Sequence, residues 1–280
     1  MVVVLAAVSA LLYGVSDYAG GRAARRLSPI TVALIADIGL AAAFGAAVAV
    51  ERPPLDVATL CWGMAAGLGS MVGVVAFFAA LRSGAMTVAS PITGVVSAVL
   101  PVLVGLALGE RPGVVAGAGV VLAVGAVALV GGAIGVPHAT ISRRQVGLAL
   151  IAGVAFGLWF IGLDQAGEDS GWWPLVTSRF LTLPTLAVWE WRRRQRPTHP
   201  RLDRTSLVFA VGSGVFILAA NVTYLAAVRD GLLSVVAVVV SLYPASTIAL
   251  AVAVDRERVA PTQIAGMVLA GVALVLVGVA

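Results

Sequence analysis

Residues 81–133 read LRSGAMTVASPITGVVSAVLPVLVGLALGERPGVVAGAGVVLAVGAVALVGGA, and residues 228–280 read VRDGLLSVVAVVVSLYPASTIALAVAVDRERVAPTQIAGMVLAGVALVLVGVA. When the chain is shifted by 147 residues, the two stretches align without a gap, and about 17 of the 53 positions are identical. Arg82 then falls on Arg229, and Glu110 falls on Glu257. Charged matches carry more weight than apolar ones, because a shared apolar bias raises chance identity. The chain therefore contains an internal repeat.

The composition predicts that both halves lie in a lipid bilayer. Of 280 residues, 60% are hydrophobic and 11% are charged, whereas soluble domains average about 45–50% apolar and about 25% charged residues. No soluble core could bury this excess, but a bilayer favours apolar side chains on the outside of the protein. We therefore predict an all-α, multi-pass integral membrane protein of the cytoplasmic membrane.

Apolar runs bounded by charge, Pro or Gly predict ten membrane-spanning helices, since each span needs roughly 20 residues. The predicted spans are 2–18, 29–50, 59–81, 85–108, 113–133, 146–163, 172–190, 206–228, 232–254 and 261–280. Five helices per half is an odd number, so the second half must enter the membrane from the opposite side. We expect two inverted five-helix repeats, residues 1–135 and 136–280, an architecture typical of secondary transporters.

Several functional classes are disfavoured by what the sequence lacks. The net charge is +5 and all 18 basic residues are arginine, yet no basic face with interleaved aromatics predicts nucleic-acid binding. Cys61 is the single cysteine, and His138 and His199 do not have metal-ligand spacing. No Gly-x-x-x-x-Gly-Lys loop is present, so ATP is not the direct energy source. We expect no metal or cofactor and no enzymatic activity.

The ends of several predicted helices resemble a known family. Gly-Glu-Arg at 109–111 and Arg-Glu-Arg at 256–258 are similar to the "GER" signature of the EamA-type transporters in the drug/metabolite transporter superfamily. Ala-Leu-Arg-Ser-Gly at 80–84 and Ala-Val-Arg-Asp-Gly at 227–231 are similar to its "ALR-x-G" helix ends, and Tyr-Gly at 13–14 matches its "WG" position loosely.

The prolines extend this resemblance over essentially the whole chain. Pro91, Pro101 and Tyr243-Pro244 resemble the kinked fourth and ninth helices of the family. The resemblance implies ten helices, two inverted repeats and the movement of small metabolites or drugs, often outward. We expect Glu110 and Glu257, which lie at helix ends on opposite sides of the membrane, to have a structural role in the turns.

Two ionisable residues inside predicted spans are the leading site candidates, because a charge at a helix centre costs about 2.5–3.5 kcal/mol or more. Asp37 lies in the second helix, and Arg179 lies in the seventh, its repeat equivalent. We expect both to face one central cavity, where Asp37 binds substrate or a proton and Arg179 binds an anionic group. The alternatives are a structural ion pair, or an Arg179 side chain that extends to the membrane interface.

Further candidates are polar or aromatic residues in the spans. Asn221 and Tyr224 share one face of the eighth helix, Tyr243 precedes Pro244 in the ninth, and Trp159 and Tyr13 hold nearly matching places in the sixth and first. The aromatic residues suit a pocket lining or simple packing. Asp17 is either a site residue or a helix-end group at the water boundary.

We therefore predict a secondary transporter, an exporter of a small metabolite or drug that works by alternating access, driven by proton coupling or substrate exchange. Its partners are a small-molecule substrate and the lipid bilayer, and it is a monomer or a homodimer. The alternatives are a non-transporting receptor or assembly partner, and a membrane transferase. A transferase needs clustered carboxylates or a His/Cys site, which the sequence does not show.

The arginine distribution predicts the orientation, since cytoplasmic loops are enriched in Lys and Arg. The loops after odd-numbered helices hold about 14 arginines and the opposite side about 3. Both termini are therefore expected outside, although family members are expected to keep them in the cytoplasm. In a Cys61→Ala background, an impermeant thiol reagent applied to intact cells should label a cysteine at Ala280 and not one at Thr198. The reverse pattern would overturn this orientation.

Overall fold

The structure of the protein, a computed structural model, describes residues 1–24, 26–81, 86–130, 143–195, 203–255 and 260–279, without the side chains of 78–81, 86–91, 168, 251 and 278. Every regular element in these ranges is helical, which confirms the predicted all-α fold. The α-helices are α1 Val2–Ala24, α2 Pro29–Glu51, α3 Val57–Leu81, α4 Met86–Ala107, α5 Val114–Val130, α6 Arg143–Asp164, α7 Trp173–Thr177, α8 Arg179–Arg194, α9 Arg204–Arg229, α10 Leu233–Val240, α11 Tyr243–Asp255 and α12 Pro261–Gly278.

Six of the described helical segments are long and apolar enough to cross a membrane: Val2–Ala24, Pro29–Glu51, Val57–Phe77, Arg143–Asp164, Arg204–Arg229 and Leu233–Asp255. Three further apolar helices, Ile92–Ala107, Val114–Val130 and Pro261–Val277, are shorter. The last of the six segments joins α10 and α11. Together these segments give a bundle of apolar helices.

The predicted seventh and ninth spans are each divided into two helices. Thr177 and Ser178 donate their hydroxyls to the carbonyls of Trp173 and Leu175, at 2.9 and 2.8 Å, where α7 gives way to α8. Ser241 does the same to Ala237, 2.8 Å away, between α10 and α11. Such side-chain bonds compete with the helical backbone ladder, and Pro244 removes one N–H at the second break.

The structure corrects two predicted boundaries. α1 continues to Ala24, six residues beyond the predicted end, so Asp17 lies inside the helix and not at its end. Small residues allow this extension, because Ala19, Gly20 and Ala23 are buried against neighbouring helices. α8 likewise continues to Arg194, so the arginine-rich segment begins on the last turn of a helix.

Polar caps explain where several helices begin. Ser28 accepts a hydrogen bond from the Thr31 N–H at 3.0 Å, and Pro29 occupies the first turn of α2. The Thr59 hydroxyl and N–H hold the pKa of Asp56 below its ordinary value, and Ser206 does the same for the pKa of Asp203. These two caps stabilise the fold above the ordinary carboxyl pKa and are lost as pH falls through the lowered value.

The helices of the two halves pack in matching pairs. α1 lies antiparallel to α9, with Ser9 donating to the Ala220 carbonyl at 2.9 Å and Ser16 donating to that of Ser213 at 3.0 Å. α6 and α3 are also antiparallel, since Gly162 approaches Ala66 whereas Gly69 approaches Ala155. The first helix of each half therefore packs on the third helix of the other half.

Glycines set the closest approach between α5 and α12. A Cβ placed on Gly119 would lie 2.6 Å from a Val277 methyl carbon, and one placed on Gly266 would lie 2.6 Å from the Val130 nitrogen. These two contacts exchange under the same 147-residue shift that aligns the sequences. The repeat seen in the sequence is therefore present in the packing, and α5 and α12 run antiparallel.

The interior of the bundle is centred on α10. All eight residues of α10, Leu233–Val240, are buried, and the helix contacts α1, α4 and α5. Its side chains are mostly valine, and β-branched chains restrict their own rotamers. α10 therefore forms an apolar part of the interior of the bundle.

Glu110 joins the two halves at the membrane side that carries the chain termini. Its carboxylate accepts hydrogen bonds from the N–H groups of Leu233 and Ser234, at 2.6 and 3.0 Å, in the first turn of α10. A Cβ on Gly105 would meet this carboxylate, so the glycine makes room for it. Glu110 thus lies in one half and caps a helix of the other half, and its expected structural role in the turns stays a prediction.

We expect Gly266→Ala to destabilise the protein by about 1–3 kcal/mol, because its methyl group would press on the α5 backbone. Gly271→Ala is the matched control on the same helix, since a Cβ at Gly271 has no heavy atom within 4 Å. The control should be neutral or stabilising by up to about 1 kcal/mol through helix propensity. Thermal unfolding in detergent measures both, and equal melting temperatures would contradict this packing.

Glu110→Ala should cost about 1–3 kcal/mol, because the first N–H groups of α10 would be left buried and unpaired. Glu51→Ala is a suitable control, since the Glu51 carboxylate accepts a 2.9 Å hydrogen bond from the Trp172 indole N–H at an exposed position. Melting temperatures in detergent should fall more for Glu110→Ala than for Glu51→Ala. A smaller effect at Glu110 would mean that the cap does not stabilise the fold.

Candidate functional site

The two charges predicted to face one cavity form an ion pair. Asp37 lies on the stripe of α2 that includes buried Leu40, Phe44 and Val48. Arg179 begins α8, directly after the break at Ser178. The Arg179 Nε lies 3.3 Å from Asp37 Oδ1, and the two side chains are 6% and 17% exposed. The predicted convergence of helices two and seven is therefore present, in the form of a buried charge pair.

Two hydroxyl groups, one between α7 and α8 and one on α8, form hydrogen bonds with this ion pair. Thr182 donates a 2.6 Å hydrogen bond to Asp37 Oδ2, and Arg179 donates a 2.7 Å bond to the Ser178 hydroxyl. Sequence reasoning did not identify Ser178 and Thr182. The available signal was their spacing, because Ser178 and Thr182 are four residues apart, so that helical geometry places both hydroxyls on one side, close to Arg179.

Aromatic residues connect the ion pair to α1 and α9. The Arg179 guanidinium carbon lies 5.6 Å from the centre of the Trp159 ring, which is the geometry of a cation–π contact. The Trp159 indole reaches the Tyr13 hydroxyl. Tyr13 in turn donates a 2.5 Å hydrogen bond to Asn221 Oδ1. These contacts form a continuous polar cluster across α1, α2, α6, α8 and α9, which we call the central cluster.

Two donors in the central cluster have no hydrogen-bond partner. The Arg179 Nε is buried, and its contact with Asp37 lacks the alignment of a hydrogen bond. The Asn221 Nδ2 is also buried and unpaired. A buried unpaired donor costs about 1–3 kcal/mol, so each of these groups would gain from an incoming acceptor. The arrangement can therefore bind a polar ligand that supplies oxygen atoms.

The remaining predicted residues occupy different positions around the central cluster. Tyr224 is fully buried, and its hydroxyl donates to the Phe160 carbonyl at 3.0 Å, so its contacts are those of a packing residue. Tyr243 begins α11 and is partly buried, and Asp17 lies within electrostatic range of Tyr13 and Tyr243. The structure thus brings seven of the eight candidates toward one region and directs the Tyr224 hydroxyl elsewhere.

The structure describes only some of the glutamate and proline residues predicted from the family resemblance. Glu257 lies outside the described residues, and only the backbone of Pro91 is described. Pro101 lies within α4, which runs without interruption from Met86 to Ala107, whereas Pro244 follows the break between α10 and α11. The corresponding helices of the two halves therefore differ in continuity.

Charged residues also meet at the membrane side opposite the termini. Arg22 on α1 pairs with Asp255 on α11, and Tyr18 donates a 3.0 Å hydrogen bond to the same carboxylate. Glu190 is buried near the end of α8 and accepts a 3.0 Å bond from the Thr31 hydroxyl. These contacts join helices at the end of the bundle opposite the termini and are separate from the central cluster.

A metal centre has no support among the described residues. Within the described ranges, no group of three or more His, Cys, Asp or Glu side chains has a geometry that could hold a metal ion. The polar atoms of the central cluster are instead one carboxylate, one guanidinium, hydroxyls and an amide. This mixture suits the hydrogen-bonding and charged groups of an organic molecule.

Comparison with known proteins matches both halves of the chain. The model of the EamA-like transporter family matches residues 1–132 and 143–279. No curated protein matches the chain. A solved structure titled "Crystal structure of protein" is 15% identical, has a TM-score of 0.71 and covers 99% of this chain and 96% of that chain, which shows a shared fold. Because the family model covers nearly the whole sequence in two copies, this chain belongs to the EamA-like transporter family of the drug/metabolite transporter superfamily.

Proposed function

We propose that this membrane transporter is a secondary transporter that exports a small metabolite or drug across the cytoplasmic membrane by alternating access. In this proposal the chain crosses the membrane ten times, as two inverted five-helix repeats, residues 1–135 and 136–280. The α7–α8 and α10–α11 pairs then each form one interrupted crossing. The central cluster binds the substrate near the middle of the membrane, where secondary transporters place their sites.

The position of the Asp37–Arg179 ion pair between the halves carries this proposal. Asp37 belongs to the first half, whereas Arg179 and Thr182 belong to the second. The Tyr13–Asn221 bond also joins the two halves. Any motion of one half against the other must rearrange these contacts. A ligand that binds the unpaired donors of the central cluster would therefore favour one arrangement over the other.

The packing supports the inverted relation of the halves. The α5–α12 contacts exchange under the 147-residue shift, although the two helices run antiparallel. Two equivalent helices that run antiparallel are related by an axis perpendicular to their length. If both helices span the bilayer, that axis lies in the membrane plane, as in inverted-topology repeats.

The interrupted helices supply a second line of support. Arg179 begins α8 and Tyr243 begins α11, so both breaks place a candidate residue at the start of a half-helix. Irregular backbone at membrane depth is tolerated only where protein or a water-filled cavity surrounds it. In transporters such breaks form part of the substrate site.

The substrate can be sought with purified protein in a thermal-shift screen of amino acids, sugars, nucleosides and cationic drugs. A compound that binds at 100 times its Kd stabilises the folded state by about 2.7 kcal/mol. The compound with the largest shift is then tested for transport in proteoliposomes. Binding without transport of any such compound would favour the receptor alternative.

Charge variants separate a substrate site from a structural ion pair. Asp37→Asn and Arg179→Gln should each lose transport and lower stability by about 3–5 kcal/mol, because the other charge is left buried and unpaired. The double variant should recover most of the stability, since no unpaired charge remains, but should not recover transport. Melting temperature and proteoliposome uptake of the selected compound measure these effects.

Asp230→Asn is the matched control, because Asp230 is exposed at the end of α9. It should leave stability and transport unchanged. Wild-type transport by the double variant would show that the ion pair is structural and would overturn its assignment to the substrate site.

A further inference from the structure

Asp17 faces the interior of the helix bundle. It follows Tyr13 by four residues, Ala10 by seven and Ala6 by eleven, which places all four residues on one stripe of α1. Ala6 and Ala10 are buried on this stripe. The lipid-facing stripe is a different one, because Val4 and Leu11 are 65% and 58% exposed. Asp17 therefore does not point at the hydrocarbon.

Asp17 is exposed although it lies on the interior stripe of α1. Asp17 lies seven residues before the end of α1, or about 10 Å inside that end at the helical rise. It lies on the interior stripe of α1 together with buried Ala6 and Ala10, yet the residue is exposed to solvent. Both observations hold together if Asp17 lines a space inside the bundle that is open to water.

Asp17 has no counter-charge among the residues that the structure describes. None of the described residues donates a hydrogen bond to Asp17 or forms an ion pair with it. The other three interior carboxylates on this side differ, because Asp37 is paired with Arg179, Asp255 with Arg22 and Glu190 with Arg194. A carboxylate inside a membrane-spanning helix that has no partner gains by taking up a proton or a cation.

The surroundings of Asp17 favour a proton. The helices packed against α1 are α2, α9, α10, α11 and α12, and α10 and α12 contain no titratable side chain. The titratable and charged groups of the other three helices, with those of α1 itself, are Asp37, Glu51, Arg204, Tyr224, Arg229, Tyr243, Asp255, Tyr13, Tyr18 and Arg22. Tyr13 and Tyr243 are the ones within electrostatic range of Asp17, and neither supplies a positive charge.

We propose that Asp17 is the proton-binding carboxylate that couples transport to the proton gradient. In one arrangement of the halves, Asp17 takes a proton from water in the internal space and becomes a neutral carboxylic acid. In the other arrangement it returns that proton to water on the opposite side. The central cluster binds the substrate, so the two tasks are assigned to different carboxylates, Asp17 and Asp37. This inference rests on the proposed transport function and names its coupling ion.

Infrared difference spectroscopy of the purified protein tests the proton site without any substrate. Between about pH 5 and about pH 9, wild-type protein should show a carbonyl band of a protonated carboxyl group that disappears as pH rises. Asp17→Asn should lose this band, and Asp230→Asn should keep it. Asp17→Glu should retain a titrating band at a shifted position, which also shows that the site tolerates substitution. An unchanged band in Asp17→Asn would overturn the proposal.

Transport measurements separate this inference from the proposed function. For the compound selected by thermal shift, Asp17→Asn should reduce uptake driven by an imposed pH gradient by about tenfold or more, while exchange without a gradient changes less than about twofold. Equal loss of both activities, or full gradient-driven uptake, would overturn the coupling role. If wild-type protein moves no compound, the proposed function fails, whereas the infrared result still decides whether Asp17 titrates.

Discussion

The buried ion pair between Asp37 and Arg179 constrains the rest of this structure. Two charges inside a membrane protein are stable only when they meet each other and find hydrogen-bonding partners. That requirement holds α2 against α8. There Thr182 donates a hydrogen bond to the Asp37 carboxylate, and the Trp159 ring makes a cation–π contact with the Arg179 guanidinium. Since the two charges come from different halves of the chain, the pair also holds the halves in register. The hydrogen bond between Tyr13 and Asn221 extends the same constraint to α1 and α9.

Small residues permit this arrangement by letting the helices approach closely. In a bilayer, helix association depends on packing and interhelical hydrogen bonds and not on the hydrophobic effect. Gly119 and Gly266 remove side-chain bulk between α5 and α12, and the serines of α1 bond to carbonyls of α9. The same register of contacts occurs in both halves. Duplication therefore preserved the packing positions, while the polar residues of the central cluster differ between the halves.

The two ends of the bundle are held by different chemistry. At the side of the termini, Glu110 caps α10 and Arg229 bonds to Ser170 and the Gly171 carbonyl. At the opposite side, the Arg22–Asp255 ion pair joins α1 to α11. The Glu110 cap and the Arg22–Asp255 pair each connect one half of the chain to the other, whereas the Arg229 bonds lie within the second half. Motion between the halves would thus break a different set of contacts at each end, which is a physical basis for two alternative arrangements.

The helical class, the repeat and the approximate helix bounds could be predicted from the sequence, because apolar runs of bilayer length and a fixed 147-residue register can be read directly along the chain. Asp37 and Arg179 could be predicted too, since a charge inside an apolar span is visible without a structure. The contacts between distant groups required the folded structure: Thr182 bonds to Asp37, Tyr224 bonds to a backbone carbonyl, and Glu110 caps a helix of the other half. The length of α1, and with it the interior position of Asp17, depended on packing of Ala19, Gly20 and Ala23 against neighbouring helices. These contacts join residues more than 60 positions apart along the chain, and hydropathy carries no information about which distant side chain will lie opposite.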